Sequence, residues 1–190
     1  MKDNKSRLIE AAIKTFSQYG VKKTSMADIA DCAGVSRQTV YVNFKNKDEM
    51  LAAAMNSVVN DIEDDLRVQW SNTDSIEDKL IAYFDVAVIG IYDRFQTLPD
   101  ARDLILGVGM LSMCVAQDAN KKKARILAEQ LQPHAEQLKV AGTDPKSVAQ
   151  FIVSTAGNMK YTVATRQELE TLLHTLKQSV LAMIGTNPSR

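Results

Sequence analysis

The 190 residues contain only four prolines and eight glycines, and nowhere a run of alternating β-branched residues. So few turn residues and no period of two argue for an all-helical fold over a sheet, and strands are not expected. The two cysteines, Cys32 and Cys114, stand far apart with no His or second Cys at ligand spacing. They do not read as a metal site but as two small buried thiols. The N-terminal MKDNKSRLIE lacks the apolar stretch of a signal peptide, and the uncharged run from Leu104 to Ala116 is shorter than the ~20 residues that span a bilayer. A cytoplasmic location is expected. No nucleophile-base pair, metal spacing or phosphate loop is present either, so neither an enzyme nor a cofactor is expected.

What is present suits one or two small globular domains: 45% of residues are hydrophobic and 24% charged. The formal net charge of zero hides an asymmetry, because residues 1–50 hold nine Lys or Arg against six acids, an excess of 9 − 6 = +3. The rest of the chain carries the opposite excess. An anionic polymer would therefore meet the first fifty residues.

Leu8, Ala11, Ala12, Thr15, Phe16 and Tyr19 recur at helical spacing, and Gly20 follows where a helix end favours positive φ. Ser25, with Asp28 three residues on, predicts a capped second helix over Met26 to Ala33, with Met26, Ile29, Ala30 and Ala33 on one face. Gly34 ends it. Ser36 caps a third helix from Arg37 to about Phe44, whose inward positions are Val40, Phe44 and, in part, Tyr41. Arg37, Gln38, Thr39 and Asn43 remain outside, polar where a packed helix would be apolar. Such side chains hydrogen-bond base edges, and hydroxyls with a helix N-terminus suit phosphate oxygens. The second and third helices thus predict a helix-turn-helix whose second member reads a DNA groove.

The segment Thr24 to Leu51, TSMADIADCAGVSRQTVYVNFKNKDEML, resembles the N-terminal signature of TetR-type transcriptional regulators. The residues that carry the resemblance are Ser25-Met26, Asp28-Ile29-Ala30, Ala33-Gly34-Val35-Ser36, Tyr41, Phe44, Lys47, Glu49 and Leu51. One departure is Asn43, where family members often have His. The resemblance implies that Arg37, Gln38 and Thr39 reach bases and that Ser25, Ser36, Tyr41 and Lys47 hold phosphates; Asn43 and Lys45 complete the candidate DNA-binding set. It also implies residues 1–47 as the DNA-binding domain and residues 48–190 as a helical domain for ligand binding and dimerisation.

Asn46 with Glu49 forms a capping box for a fourth helix from Lys47 to about Trp70, which the resemblance casts as the lever between the two domains. A box of Asp74 with Glu77 opens the next helix, expected to run through Phe95. Later breaks are expected at Pro99, Asp118 to Asn120, Gly142 and Thr165, for about nine helices in all. Asp144 before Pro145 caps one late helix, and Thr165 with Glu168 the last. These two carry wide apolar faces, from which Ile152, Thr155, Met159, Leu172, Leu176 and Val180 are candidates for a homodimer interface about a two-fold axis.

Asp85 sits on an apolar stripe one turn from Ile81 and Ile89 and needs a partner if it points inward. A cationic ligand stacked on Trp70, Tyr83 or Tyr92 is one option; Arg94, Arg102, His134, a backbone group or solvent are others. Trp70, Asp85, Ile89, Tyr92, Met110, Met113, Phe151 and Asn158 are the candidate ligand-binding residues. Lys121-Lys122-Lys123 reads as a solvated face and His134, after a kink at Pro133, as structural. The expected function is a repressor that binds a palindromic double-stranded DNA operator as a homodimer and is released by a small-molecule effector, with no membrane partner. The alternative is a nucleoid-associated or partner-controlled DNA-binding factor without such a ligand.

Overall fold

The computed structural model describes residues 3–96 and 110–185, apart from the side chains of 95 and 110–115. Every regular element among them is helical. The order is α1 (Asn4–Tyr19), α2 (Met26–Ala33), α3 (Arg37–Asn43), α4 (Lys47–Trp70), α5 (Ile76–Phe84), a π-helical turn (Asp85–Ile89) and α6 (Gly90–Gln96). Then come α7 (Met110–Leu131), a 3-10 turn (Gln132–His134), α8 (Ala135–Val140), α9 (Pro145–Thr162) and α10 (Arg166–Met183). None of the described helices is long and apolar enough to cross a membrane.

The chain divides into two compact units: Met1–Asn60 with Phe95–Ala119, and Asp61–Arg94 with Asn120–Arg190. The first is built on one apolar cluster. Leu8, Ala12 and Phe16 of α1 meet Ile29 and Ala30 of α2, Val40 and Phe44 of and after α3, and Met50, Leu51 and Ala54 of α4. Gly20 and Gly34 take positive φ of 84° and 64°, so each ends its helix where a Cβ would be strained. Cys32 is exposed, against the expectation of a buried thiol, because α2 turns Ile29 and Ala30 inward and leaves Asp31 and Cys32 outside. Cys114, Pro99 and Arg102 lie outside what is described.

Within the second unit, the caps of α9 and α10 form as the sequence indicates. The Asp144 carboxylate accepts from the Lys146 and Ser147 amides, and Thr165 Oγ1 accepts from the Glu168 amide. The start of α5 departs by one residue: Ser75, not Asp74, is the cap, and it takes the Asp78 amide. The expected break at Asp118 to Asn120 is absent, since α7 runs through it with neither Pro nor Gly to stop it. Pro133 does interrupt its helix, as a 3-10 turn.

Asp85 is exposed rather than inward. The buried stripe of this stretch is Leu80, Tyr83, Phe84, Ala87, Val88 and Tyr92, and its larger apolar area wins the core over a stripe of Ile81 and Asp85. The lysine run also needs correction. Lys121 is exposed and Lys122 lies 3.6 Å from Glu63, but Lys123 is buried.

Candidate nucleic-acid interface

The second helix of the pair, α3, is held from both ends. The Ser36 hydroxyl accepts from the Thr39 amide at 3.1 Å and shares a hydrogen bond with the Thr39 hydroxyl at 2.9 Å. Val40 and Phe44 anchor its underside at 0% and 2% exposure, and the Lys5 ammonium stands 5.7 Å over the Phe44 ring. Its partner α2 begins with a full capping box: the Ser25 hydroxyl accepts from the Asp28 amide, and the Asp28 carboxylate accepts from the Ser25 amide and hydroxyl. The Ser25 amide first, and its hydroxyl next, hold the Asp28 carboxyl below the ordinary carboxylate range. Local sequence patterns do not single out Arg7, whose guanidinium donates to the Ala33 carbonyl at 2.9 Å and ties α1 to the turn.

Arg37, Gln38, Tyr41, Lys45, Ser25 and Ser36 are all exposed. Tyr41 is 56% exposed, so it contributes nothing to the underside of α3. Besides the two capping serines, three more of the candidates are already engaged. Thr39 is half-buried against Ser36, and the Asn43 amide donates to the Thr39 carbonyl at 2.8 Å. The Lys47 ammonium donates to the Val21 and Thr24 carbonyls at 3.0 and 3.2 Å, which leaves one of its three N–H groups for a phosphate. Lys47 is therefore first a clamp on the α1–α2 connection. Glu49 does close a box around Asn46, but its carboxylate takes the Lys45 amide rather than that of Asn46.

The described ligand-binding candidates differ in exposure. Trp70 and Tyr92 are buried in the second unit, and the Trp70 indole N–H is spent on the Lys79 carbonyl at 3.0 Å. Asp85 and half-buried Ile89 line an open cleft of about 230 Å³ with Ile81, Phe84, Arg166 and Glu170. Desolvation raises the Asp85 carboxyl above its ordinary value although Arg166 opposes it. Phe151 and Asn158 are exposed on α9, and the side chains of Met110 and Met113 lie outside what is described. Among the interface candidates, Ile152, Leu176 and Val180 are buried in the single chain and thus covered without a second one. Thr155 and Met159 are half-buried and Leu172 is exposed. The wide apolar faces thus divide between an inner stripe and an outer one of Phe151 and Leu172.

A capped helix, a left-handed glycine turn and a second capped helix with an apolar underside and a polar top make residues 25–44 a helix-turn-helix. Residues 8–54 match the model of the tetR family of bacterial regulatory proteins. The first quarter of the chain is thus similar to the DNA-binding segment of TetR-family transcriptional regulators. It is 41% identical over 56 residues to the HTH-type transcriptional regulator TtgR of Pseudomonas putida, over 30% of this chain and 27% of that one. It is 48% identical over 46 residues to a protein of Escherichia coli named probable acrEF/envCD operon repressor, over 24% and 21%. The matches thus span about a quarter of these relatives. Over the whole chain the likeness is one of fold: the fatty acid degradation regulator FadR from Bacillus halodurans superposes with a TM-score of 0.70 at 18% identity, covering 100% of this chain and 99% of that one.

Proposed function

We propose that the protein is a homodimeric repressor that binds a palindromic operator and is released by a small-molecule effector. Residues 1–47 read DNA in this scheme, and residues 48–190 bind the effector and dimerise. The observation that carries it is the two-sided character of α3: fully buried Val40 beneath, exposed Arg37 and Gln38 above. Arg37 suits a bidentate contact to guanine and Gln38 one to adenine, each worth ~1–3 kcal/mol of discrimination. Ser25, Ser36, Tyr41 and Lys45 then meet phosphates, which set register without reading sequence. The outer stripe of α9 and α10, with Phe151 47% and Leu172 37% exposed, is the surface we assign to the two-fold contact. An effector that binds better to a conformation with wrongly spaced α3 helices lowers DNA affinity, and DNA lowers effector affinity by the same factor.

The test is binding to DNA from upstream of the coding region at fixed salt, against scrambled DNA of equal length. The wild type is expected to prefer the upstream sequence, and Arg37→Ala with Gln38→Ala to erase the preference without lowering thermal stability. A double variant that keeps its preference would move the reading surface off α3.

A further inference from the structure

Val42 of α3 is 78% exposed, more than Tyr41 beside it at 56%. A lone exposed valine is ordinary on a protein surface, so its place decides what it means. A helix turns about 100° per residue, and the positions two before and two after a buried residue therefore stand nearly opposite it. Val40 is the fully buried anchor of α3, and those two positions are Gln38 and Val42. Together they form the crest of the helix, farthest from the core. Arg37 and Tyr41 flank the crest on one side, Thr39 and Asn43 on the other. On that second side the Thr39 hydroxyl shares a hydrogen bond with Ser36 and the Asn43 amide donates to the Thr39 carbonyl, so both side chains are drawn back from the crest.

The fold has no use for a valine there. Its branched Cβ makes it a weaker helix former than Ala, Gln or Lys, and α3 has only seven residues to hold together. At such exposure it gains little by burial in return. In a DNA groove, by contrast, it has one match. The major-groove edges of adenine, guanine and cytosine present donors and acceptors, whereas thymine adds a C5-methyl group. A valine side chain can neither donate nor accept, so over any of the other three edges it leaves a desolvated polar group unpaired. Over thymine it buries methyl against methyl.

We propose that Val42 reads a thymine through its C5-methyl group, beside the base that Gln38 reads. This rests on the reading of α3 as the helix that enters the groove. The four residues from Gln38 to Val42 span about 6 Å along the helix axis, and base pairs stand about 3.4 Å apart. The thymine therefore lies one or two base pairs from the adenine that Gln38 suits.

The test begins with selection of bound duplexes from a random-sequence pool by the full chain at fixed salt. The selected duplex is then made with each thymine in turn replaced by deoxyuridine, which lacks only the methyl group. At one thymine per half-site the replacement is expected to weaken wild-type binding about fourfold, the effect of one buried methyl group, and elsewhere to change it little. Val42→Ser, whose helix propensity matches that of valine, should keep the helical content and bind the thymine and uracil duplexes equally. Val42→Ile should keep the discrimination. Wild-type binding indifferent to every replacement, or a uracil effect undiminished in Val42→Ser, would overturn the proposal. Arg37→Ala with Gln38→Ala separates it from the reading beneath it. If that double variant loses sequence preference while the wild type ignores uracil, α3 remains the reading helix and Val42 loses its role. A double variant that keeps its preference, or a wild type that selects no consensus, removes both.

Discussion

The two units bury different things. Among the described residues of the first, every buried side chain but Thr15 and Thr24 is apolar, and each of these threonines spends its hydroxyl on a backbone carbonyl: Ala11 for one, Gly20 for the other. Among those of the second, three lysines are buried and two of them have no carboxylate. The first unit is thus organised for one fold, with its polar groups kept for the outside of α3. The second gives up stability at Lys123 and Lys160. A core that departs from its own best packing marks the place where something else was selected.

The largest effect expected is in the first unit. Phe44→Ala removes a ring 2% exposed beneath α3 and should cost about 3–5 kcal/mol, read as the denaturant midpoint of residues 8–54 by hydrogen exchange. A loss under about 1 kcal/mol would mean that this core tolerates cavities, and the contrast would weaken. The opposite sign is expected in the second unit. Lys160 has a folded value of about 7, below the ordinary 10.5, so between pH 7 and 10 the unfolded chain binds a proton that the folded chain lacks. Stability should therefore rise with pH across that window and be lowest below pH 7, where the folded protein must hold the buried charge. Lys123, lowered too, adds in the same direction, while Tyr161, whose phenol is raised by burial, acts oppositely and only near the top of the window. Lys160→Met should flatten the slope and stabilise the protein at pH 6.5 by a few kcal/mol in order of magnitude. A slope unchanged by the substitution would show that Lys160 reaches solvent.

These differences explain what the sequence made legible. The helix-turn-helix was readable to the residue because its determinants are local: Ser25 with Asp28, Gly34, Ser36, and apolar positions three and four apart. Arg7 and Lys47 were not understood, since their backbone partners stand 26 residues away at Ala33 and Val21. Farther along, periodicity found the apolar faces but not which stripe turns inward. Ile81 and Asp85 share spacing with Leu80 and Phe84, and the choice between the two stripes belongs to the neighbouring helices. Lys123 was hidden in a run of three lysines, although Ile126 and Leu127 placed it on the buried side of α7.

A smaller effect sharpens the contrast inside the second unit. Glu77→Ala leaves Lys177 buried without its partner and should cost about 1–3 kcal/mol by thermal or denaturant unfolding, tempered by the 28% exposure of the Glu77 side chain. Glu77→Leu combined with Lys177→Met should recover most of that loss, because an apolar pair needs no desolvated charge. A single variant as stable as the wild type would place Lys177 among the lysines that need no partner, and Lys123 and Lys160 would lose their distinction.

The smallest change tests whether the first unit's polar groups serve fold or DNA. Ser36→Ala removes the acceptor of the Thr39 amide and the partner of the Thr39 hydroxyl. Loss of an N-cap costs about 1 kcal/mol, and α3 has only seven residues over which to absorb it. Stability alone would change little, because Val40 and Phe44 still pin the helix from below. DNA affinity would fall more than stability if Ser36 also meets a phosphate. That loss should be uniform across operator sequences, unlike the base-specific loss at Arg37. Ser36→Asp separates the roles: the carboxylate restores the cap but repels phosphate, so it should recover stability while binding DNA more weakly than Ser36→Ala. Equal binding by the two variants would confine Ser36 to the fold.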